Sequence, residues 1–336
     1  MEQYSAFDFN RELLKTVVPS MSYDGGDLAA WQKTAKEKLS ELLGMDQFSK
    51  VDPAVNVEFE SQNDDFTEIR FTFASEDGYR IPCHLLLPVG VENPPVMICV
   101  QGHTTGMHIS LGREKYAKDR HWIENCDSDF CVRAVKEGFA AVALEQRNYG
   151  ERGYSGEESP ECHKETLVAF LMGRTTIGER VWDIMRLIDV LETDFKDRVD
   201  VKNVCLLGNS GGGTATAYAA ALEDRLALAV PSCAMCSYED SIGSLKHCEC
   251  NYVPGIARYF SMSDLMAMAC PKYFIQVSGI KDVGFLIDGA VQVYEQGRAA
   301  YEKNGAAERC HLVQGNGGHR FFADDTWPII HRFVGR

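Results

Sequence analysis

Hydrophobic and polar positions change texture three times along the chain. Over residues 1–50 the apolar residues Leu28, Trp31, Ala35, Leu39 and Leu42 recur at three- and four-residue spacing, which predicts helix and no strand. From residue 51 the pattern alternates: 55–60, 66–74 and 79–87 are rich in β-branched and aromatic residues, and Glu76-Asp77-Gly78 supplies a turn between two of them. An antiparallel opening is expected there. Beyond it, short and wholly apolar runs alternate with longer amphipathic stretches, the signature of βα units on a parallel sheet covered on both faces. The runs are 96–100, 140–144, 204–207, 226–230, 273–277 and 310–313; helices are expected near 127–137, 178–192, 211–222, 286–303 and 327–334. The fold class is therefore α/β, a doubly wound and mostly parallel sheet. A helical N-terminal extension (1–50) precedes one large unit (51–336). Residues 232–263 break the alternation, being long, weakly periodic and rich in Cys, Ser and Tyr, and they read as a lid or pocket-wall insertion.

Composition narrows the function classes. Hydrophobic residues at 45% and charged residues at 25% describe an ordinary packed chain. A net charge of −15 repels phosphate backbones and anionic lipid, so neither nucleic acid nor a membrane is an expected partner. No apolar run approaches the ~18 residues of a membrane-spanning helix. The opening residues do not resemble a secretory leader, which makes a cytoplasmic location the expectation, and nothing forbids a homo-oligomer. The twelve cysteines are read as reduced thiols, many of them in strand runs, such as Cys99 and Cys205.

The chemistry concentrates at Gly208-Asn209-Ser210-Gly211-Gly212-Gly213, between an apolar strand and a small-residue helix. This is G-x-S-x-G in the strand–turn–helix setting that a nucleophilic serine needs, because its tight turn leaves no room for neighbouring side chains. The run lacks the lysine of a P-loop and the G-x-G-x-x-G spacing of a dinucleotide site. The partners should follow in the order acid, histidine. Asp282 lies just beyond the 273–277 strand, and His319 lies on the glycine loop Gly315-Asn316-Gly317-Gly318 after the last strand. Asp288 and His331 are the rivals; His331 falls among Ile329, Ile330 and Phe333 and reads as a packed or capping histidine. The N–H of Gly211, and by position that of His103 in Gln101-Gly102-His103, would form an oxyanion hole.

Three further groups carry weaker signals. His247-Cys248-Glu249-Cys250 has metal-like residue types but no second Cys/His pair at finger spacing, so it is read as part of the insertion, with no metal and no cofactor expected. The stretch Arg147-Asn148-Tyr149-Gly150-Glu151-Arg152 follows a strand and reads chiefly as bracing. Tyr149 and Tyr252 are candidate pocket residues, and Tyr238, Tyr259 and Phe260 suit either ring stacking or packing.

Together these motifs resemble the α/β-hydrolase fold over about 51–336. The antiparallel opening and the insertion are similar to the acetyl-xylan-esterase-like and dienelactone-hydrolase-like branch. The resemblance implies a triad of Ser210, Asp282 and His319 and hydrolysis of a small-molecule ester, commonly an acetyl ester of a sugar. Two departures count against carrying specificity over. Dienelactone hydrolases use cysteine where this chain has Ser210, and the acetyl esterases' Arg-Gly-x-Gly is here Arg147-Asn148-Tyr149-Gly150. Two other readings are a prolyl-oligopeptidase-like serine peptidase, disfavoured by the short N-terminal extension, and a non-catalytic ligand-binding protein of the same fold.

Overall fold

A computed structural model describes residues 5–154 and 160–335. In chain order the helices are α1 (Ala6–Leu14), α2 (Leu28–Leu43), α3 (Asp119–Cys126), α4 (Phe130–Lys136), α5 (His163–Leu171), α6 (Thr176–Asp194), α7 (Gly211–Leu222), α8 (Met262–Ala269), α9 (Ile287–Lys303) and α10 (Ala323–Val334). The strands are β1 (Asn56–Gln62), β2 (Phe66–Glu76), β3 (Tyr79–Pro88), β4 (Pro95–Val100), β5 (Ala140–Leu144), β6 (Asp200–Asn209), β7 (Leu226–Ser232), β8 (Tyr273–Gly279) and β9 (Cys310–Gly315). They form one sheet of order β1-β2-β3-β5-β4-β6-β7-β8-β9. β1 to β3 are antiparallel and join β5 antiparallel, while β4 to β9 run parallel. This is the mixed sheet expected from the change of texture near residue 90.

Strand geometry turns each apolar run into two cores, because successive side chains point to opposite faces. Val96, Ile98, Val142, Val204 and Leu206 join one cluster with α6, α7 and α8; Met97, Cys99, Ala141, Ala143, Cys205 and Leu207 join the other with α4 and α10. A one-residue shift in register would exchange the two sets.

The structure differs from expectation at several helices. The helix expected at 127–137 is the shorter α4; α3 lies before it, outside the expected bounds, and ends where Asp127 takes a left-handed φ of 50°. The sequence pattern did not predict α5, and its apolar residues do not segregate to a buried face: Leu167, Val168 and Leu171 are exposed. The expected insertion also ends sooner, since its last residues start α8. There Ser261 and Asp264 form a capping box.

The N-terminal α2 is docked onto the main body. Asp27 caps its start, and Gly44, at φ 73°, ends it. Ala35, Leu39 and Leu43 are fully buried in the larger core, and each leucine contributes about 1.5–3 kcal/mol by leaving water. Gln32 Nε2 donates to the carbonyls of Ala267 (3.0 Å), Met268 (3.1 Å) and Cys270 (2.6 Å), satisfying the C-terminal end of α8. Among the described residues no helix is long and apolar enough to cross a membrane.

Candidate active site

The parallel strands deliver the predicted residues to one edge. Ser210 joins β6 to α7 with φ 57° and ψ −122°, a strained conformation costing about 1–3 kcal/mol that holds its side chain clear of strand and helix. The space around it accounts for the glycines. A Cβ on Gly212 would strike the carbonyls of Val100 and Gln101, and one on Gly208 would lie 2.6 Å from Thr216 Oγ1. A Cβ on Gly102 would lie 2.8 Å from Ser210 Cβ, so the turn after β4 passes directly against the elbow. Gly211 opens α7, where backbone N–H groups lack intrahelical acceptors.

Asp282 and His319 are brought together: His319 Nδ1 lies 2.7 Å from Asp282 Oδ2. The other carboxylate oxygen, Oδ1, accepts the N–H groups of Gly284 (2.8 Å) and Phe285 (3.2 Å). Burial pushes the Asp282 carboxyl up, but the His319 contact and the Gly284 N–H outweigh it and hold the group below the ordinary carboxylate range. An ionised carboxylate only accepts hydrogen bonds, so Nδ1 carries a proton and Nε2 keeps its lone pair. The Phe285 ring stacks on the imidazole at 5.8 Å. Among the described residues Ser210 Oγ makes no hydrogen bond to His319. The rivals lie elsewhere. Asp288 is exposed on the first turn of α9, while His331 packs near Trp327 and Phe139 and contacts Glu137 Oε2 at 2.7 Å.

His103 and Tyr149 stand over the elbow. A Cβ on Gly211 would fall 2.6 Å from the Tyr149 hydroxyl and 3.1 Å from His103 Nδ1. Tyr149 is wholly buried, and among the described residues its hydroxyl has no hydrogen-bond partner. Tyr252 instead spends its hydroxyl on the carbonyl of Ile242, at 2.7 Å, bracing the 232–263 segment. Of the other aromatics, Tyr238 and Phe260 are buried in the larger core and Tyr259 packs against it.

Two buried acid clusters fix the surrounding loops. Glu145 accepts the N–H groups of Met107 (3.0 Å) and Glu151 (3.3 Å), tying the loop after β4 to the loop after β5; burial pushes its carboxyl up to about 7. Arg147 braces as expected, bonding Asp183 (2.9 and 3.0 Å) and Glu76 (2.6 Å), with Arg152 also on Asp183 at 2.8 Å. Neither cluster has a local motif: Asp183 on α6 and Glu145 after β5 meet their partners only in the folded chain.

The His247–Cys250 group is divided by the structure. His247 Nε2 faces the Gly284 carbonyl at 2.9 Å and its ring packs on Phe285. Cys248 and Cys250 turn the other way, toward Cys162 and His103. Cys162 carried no signal in the sequence, being a single thiol far along the chain from its partners.

No family profile matches the sequence. A protein of Bacillus subtilis (strain 168) named "Putative hydrolase YtaP" is 23% identical over 243 residues, covering 71% of this chain and 78% of that protein. Among solved structures, "a putative acetyl xylan esterase" from Bacteroides fragilis NCTC 9343 superposes with a TM-score of 0.78 at 16% identity, over 94% of this chain and 83% of that one. A glucuronoyl esterase from Solibacter usitatus gives 0.67 at 15% identity, over 95% and 97%. At these identities the likeness establishes the α/β-hydrolase fold.

Proposed function

We propose that the protein is a serine carboxylic-ester hydrolase acting on small esters, with carbohydrate esters as its substrate class. The observation that carries this reading is the Asp282–His319 pair at 2.7 Å, on the same sheet edge as Ser210 in its left-handed elbow. Serine, acid and histidine sit in the chain order expected of this fold. The esterases and the hydrolase to which the chain is similar support the same class.

In this mechanism His319 Nε2 takes the proton of Ser210 as Oγ attacks the ester carbonyl, and Asp282 holds the tautomer and stabilises the imidazolium. The oxyanion binds the N–H groups of Gly211 and His103. The unpartnered hydroxyl of Tyr149 is placed to donate to the same region. His319 then protonates the departing alcohol, and water, activated by the same imidazole, releases the acid. The 232–263 segment forms a wall of the pocket, and the net charge of −15 favours neutral esters over polyanionic ones.

The test is turnover of 4-nitrophenyl acetate and butyrate by the wild type beside Ser210→Ala, followed by acetylated xylo-oligosaccharides and alkyl esters of glucuronic acid. The wild type should turn over and the variant should lose on the order of 10⁴-fold or more. A folded wild type inert toward all of these esters would overturn the reading.

A further inference from the structure

The largest unexplained concentration of chemistry lies beside the elbow. A ring nitrogen of His103 and the Sγ atoms of Cys162, Cys248 and Cys250 all lie within 4.8 Å of one another. His103 Nε2 is 3.2 Å from Cys250 Sγ. Four ligands around tetrahedral zinc, with Zn–S near 2.3 Å and Zn–N near 2.0–2.1 Å, stand about 3.5–3.8 Å apart, so the group needs little adjustment to close on an ion. The residues arrive from three places in the fold: the loop after β4, the residue before α5, and the short turn Glu249–Asn251 in the insertion.

A second observation concerns charge. Arg180, on α6, is 1% exposed, and among the described residues no carboxylate pairs with it. Its Nη1 lies 3.4 Å from Cys250 Sγ and its Nη2 3.7 Å from Cys162 Sγ; its other contacts are the Arg147 carbonyl at 3.2 Å and the Tyr149 ring at 4.5 Å. A buried guanidinium facing only neutral groups would be costly. Zinc bound by three thiolates and a neutral imidazole carries a net charge of −1, which the single charge of Arg180 balances.

We propose that His103, Cys162, Cys248 and Cys250 bind one zinc ion in a structural site, with Arg180 as its counter-charge. Soft thiolates with one imidazole select zinc over the hard, oxygen-seeking cations. Binding expels the three thiol protons to solvent and fills the metal's coordination with sulfur and nitrogen. All four positions come from the protein, so the ion has no open place for water or ester, and its work is mechanical. It pins the insertion and the segment before α5 to the loop that carries His103. With Nε2 on the metal, the remaining proton of His103 resides on Nδ1, the atom facing Gly211.

The proposal is independent of the esterase reading, because its readout is metal content. Protein purified under reducing conditions without chelator should contain one zinc per chain by plasma mass spectrometry. Cobalt(II) exchanged into it should show the strong visible bands of tetrahedral coordination and the near-ultraviolet charge-transfer band of thiolate ligation. Cys162→Ser and Cys250→Ser should lose both signals, whereas Cys205→Ser, in β6 and outside the group, should keep them. A mercurial that titrates the thiols should release the zinc. The proposal is overturned if folded wild type contains only traces of zinc and gives no thiolate–cobalt bands, if a disulfide joins any two of the three cysteines, or if the signals persist in both Cys variants.

Discussion

Replacing Asp282 by Asn tests the proposed mechanism at its narrowest point, because the surroundings dictate how the amide must sit. Oδ1 of Asp282 already accepts two backbone N–H groups, from Gly284 and Phe285. An amide NH₂ cannot face those donors, so the asparagine oxygen must take that place and its NH₂ must take the place of Oδ2. There it donates to His319 Nδ1, 2.7 Å away in the native pair. Nδ1 then becomes an acceptor, the proton moves to Nε2, and the imidazole can no longer accept the proton of Ser210. Size and packing are almost unchanged, so the loss belongs to the tautomer. The expected cost is ~10⁴-fold in kcat, equal to about 5.5 kcal/mol of transition-state stabilisation. Two measurements check it: steady-state hydrolysis of 4-nitrophenyl acetate, and ¹⁵N spectra of histidine-labelled protein, in which Nδ1 of His319 should change from protonated to bare. A loss below tenfold, or a large loss with Nδ1 still protonated, refutes the reasoning.

Three further outcomes are expected. Gly212→Ala places a Cβ against the carbonyls of Val100 and Gln101 and should abolish turnover with a fall in melting temperature, read by activity and calorimetry together. Asp183→Asn leaves Arg147 and Arg152 underpaired around a side chain with no exposure and should cost about 3–5 kcal/mol in urea denaturation. Glu145, with its carboxyl raised to about 7 by burial, binds its proton more tightly folded than unfolded. Its contribution is therefore complete below pH ~4.5 and is lost as pH rises toward 7. Denaturation across that window should show a decline on the order of 3 kcal/mol that is absent in Glu145→Gln.

The central strands β4, β5 and the second half of β6 were legible because they are buried on both faces and so become uninterrupted apolar runs, whereas the edge strand β9 is only partly buried. Helix α5 was not legible, because its apolar residues point partly outward. Ser210 could be read from local chemistry, since Gly208 and Gly212 beside it sit where a Cβ would strike Thr216 and the carbonyls of Val100 and Gln101. Asp282 and His319 could be placed because each follows a strand, and strand ends converge on one edge. The thiol group could not be read in the same way: Cys162 and His103 approach Cys248 and Cys250 only through the sheet order. His247, the nearest neighbour in sequence, turns toward Phe285 instead. Arg180 is invisible for the same reason, as an arginine on an amphipathic helix gives no sign that it faces sulfur.

The docking of α2 has a consequence in time. Its buried face rests on α6, α7 and α8, and Gln32 reaches the carbonyl of Cys270. A ribosome adding about 5–20 residues per second finishes that stretch roughly ten to forty-five seconds after α2 itself. Sixteen residues make only a marginal helix in water. During synthesis the first part of the chain therefore waits, its leucines uncovered, for a surface that does not yet exist, and this interval is when the nascent protein most needs a chaperone.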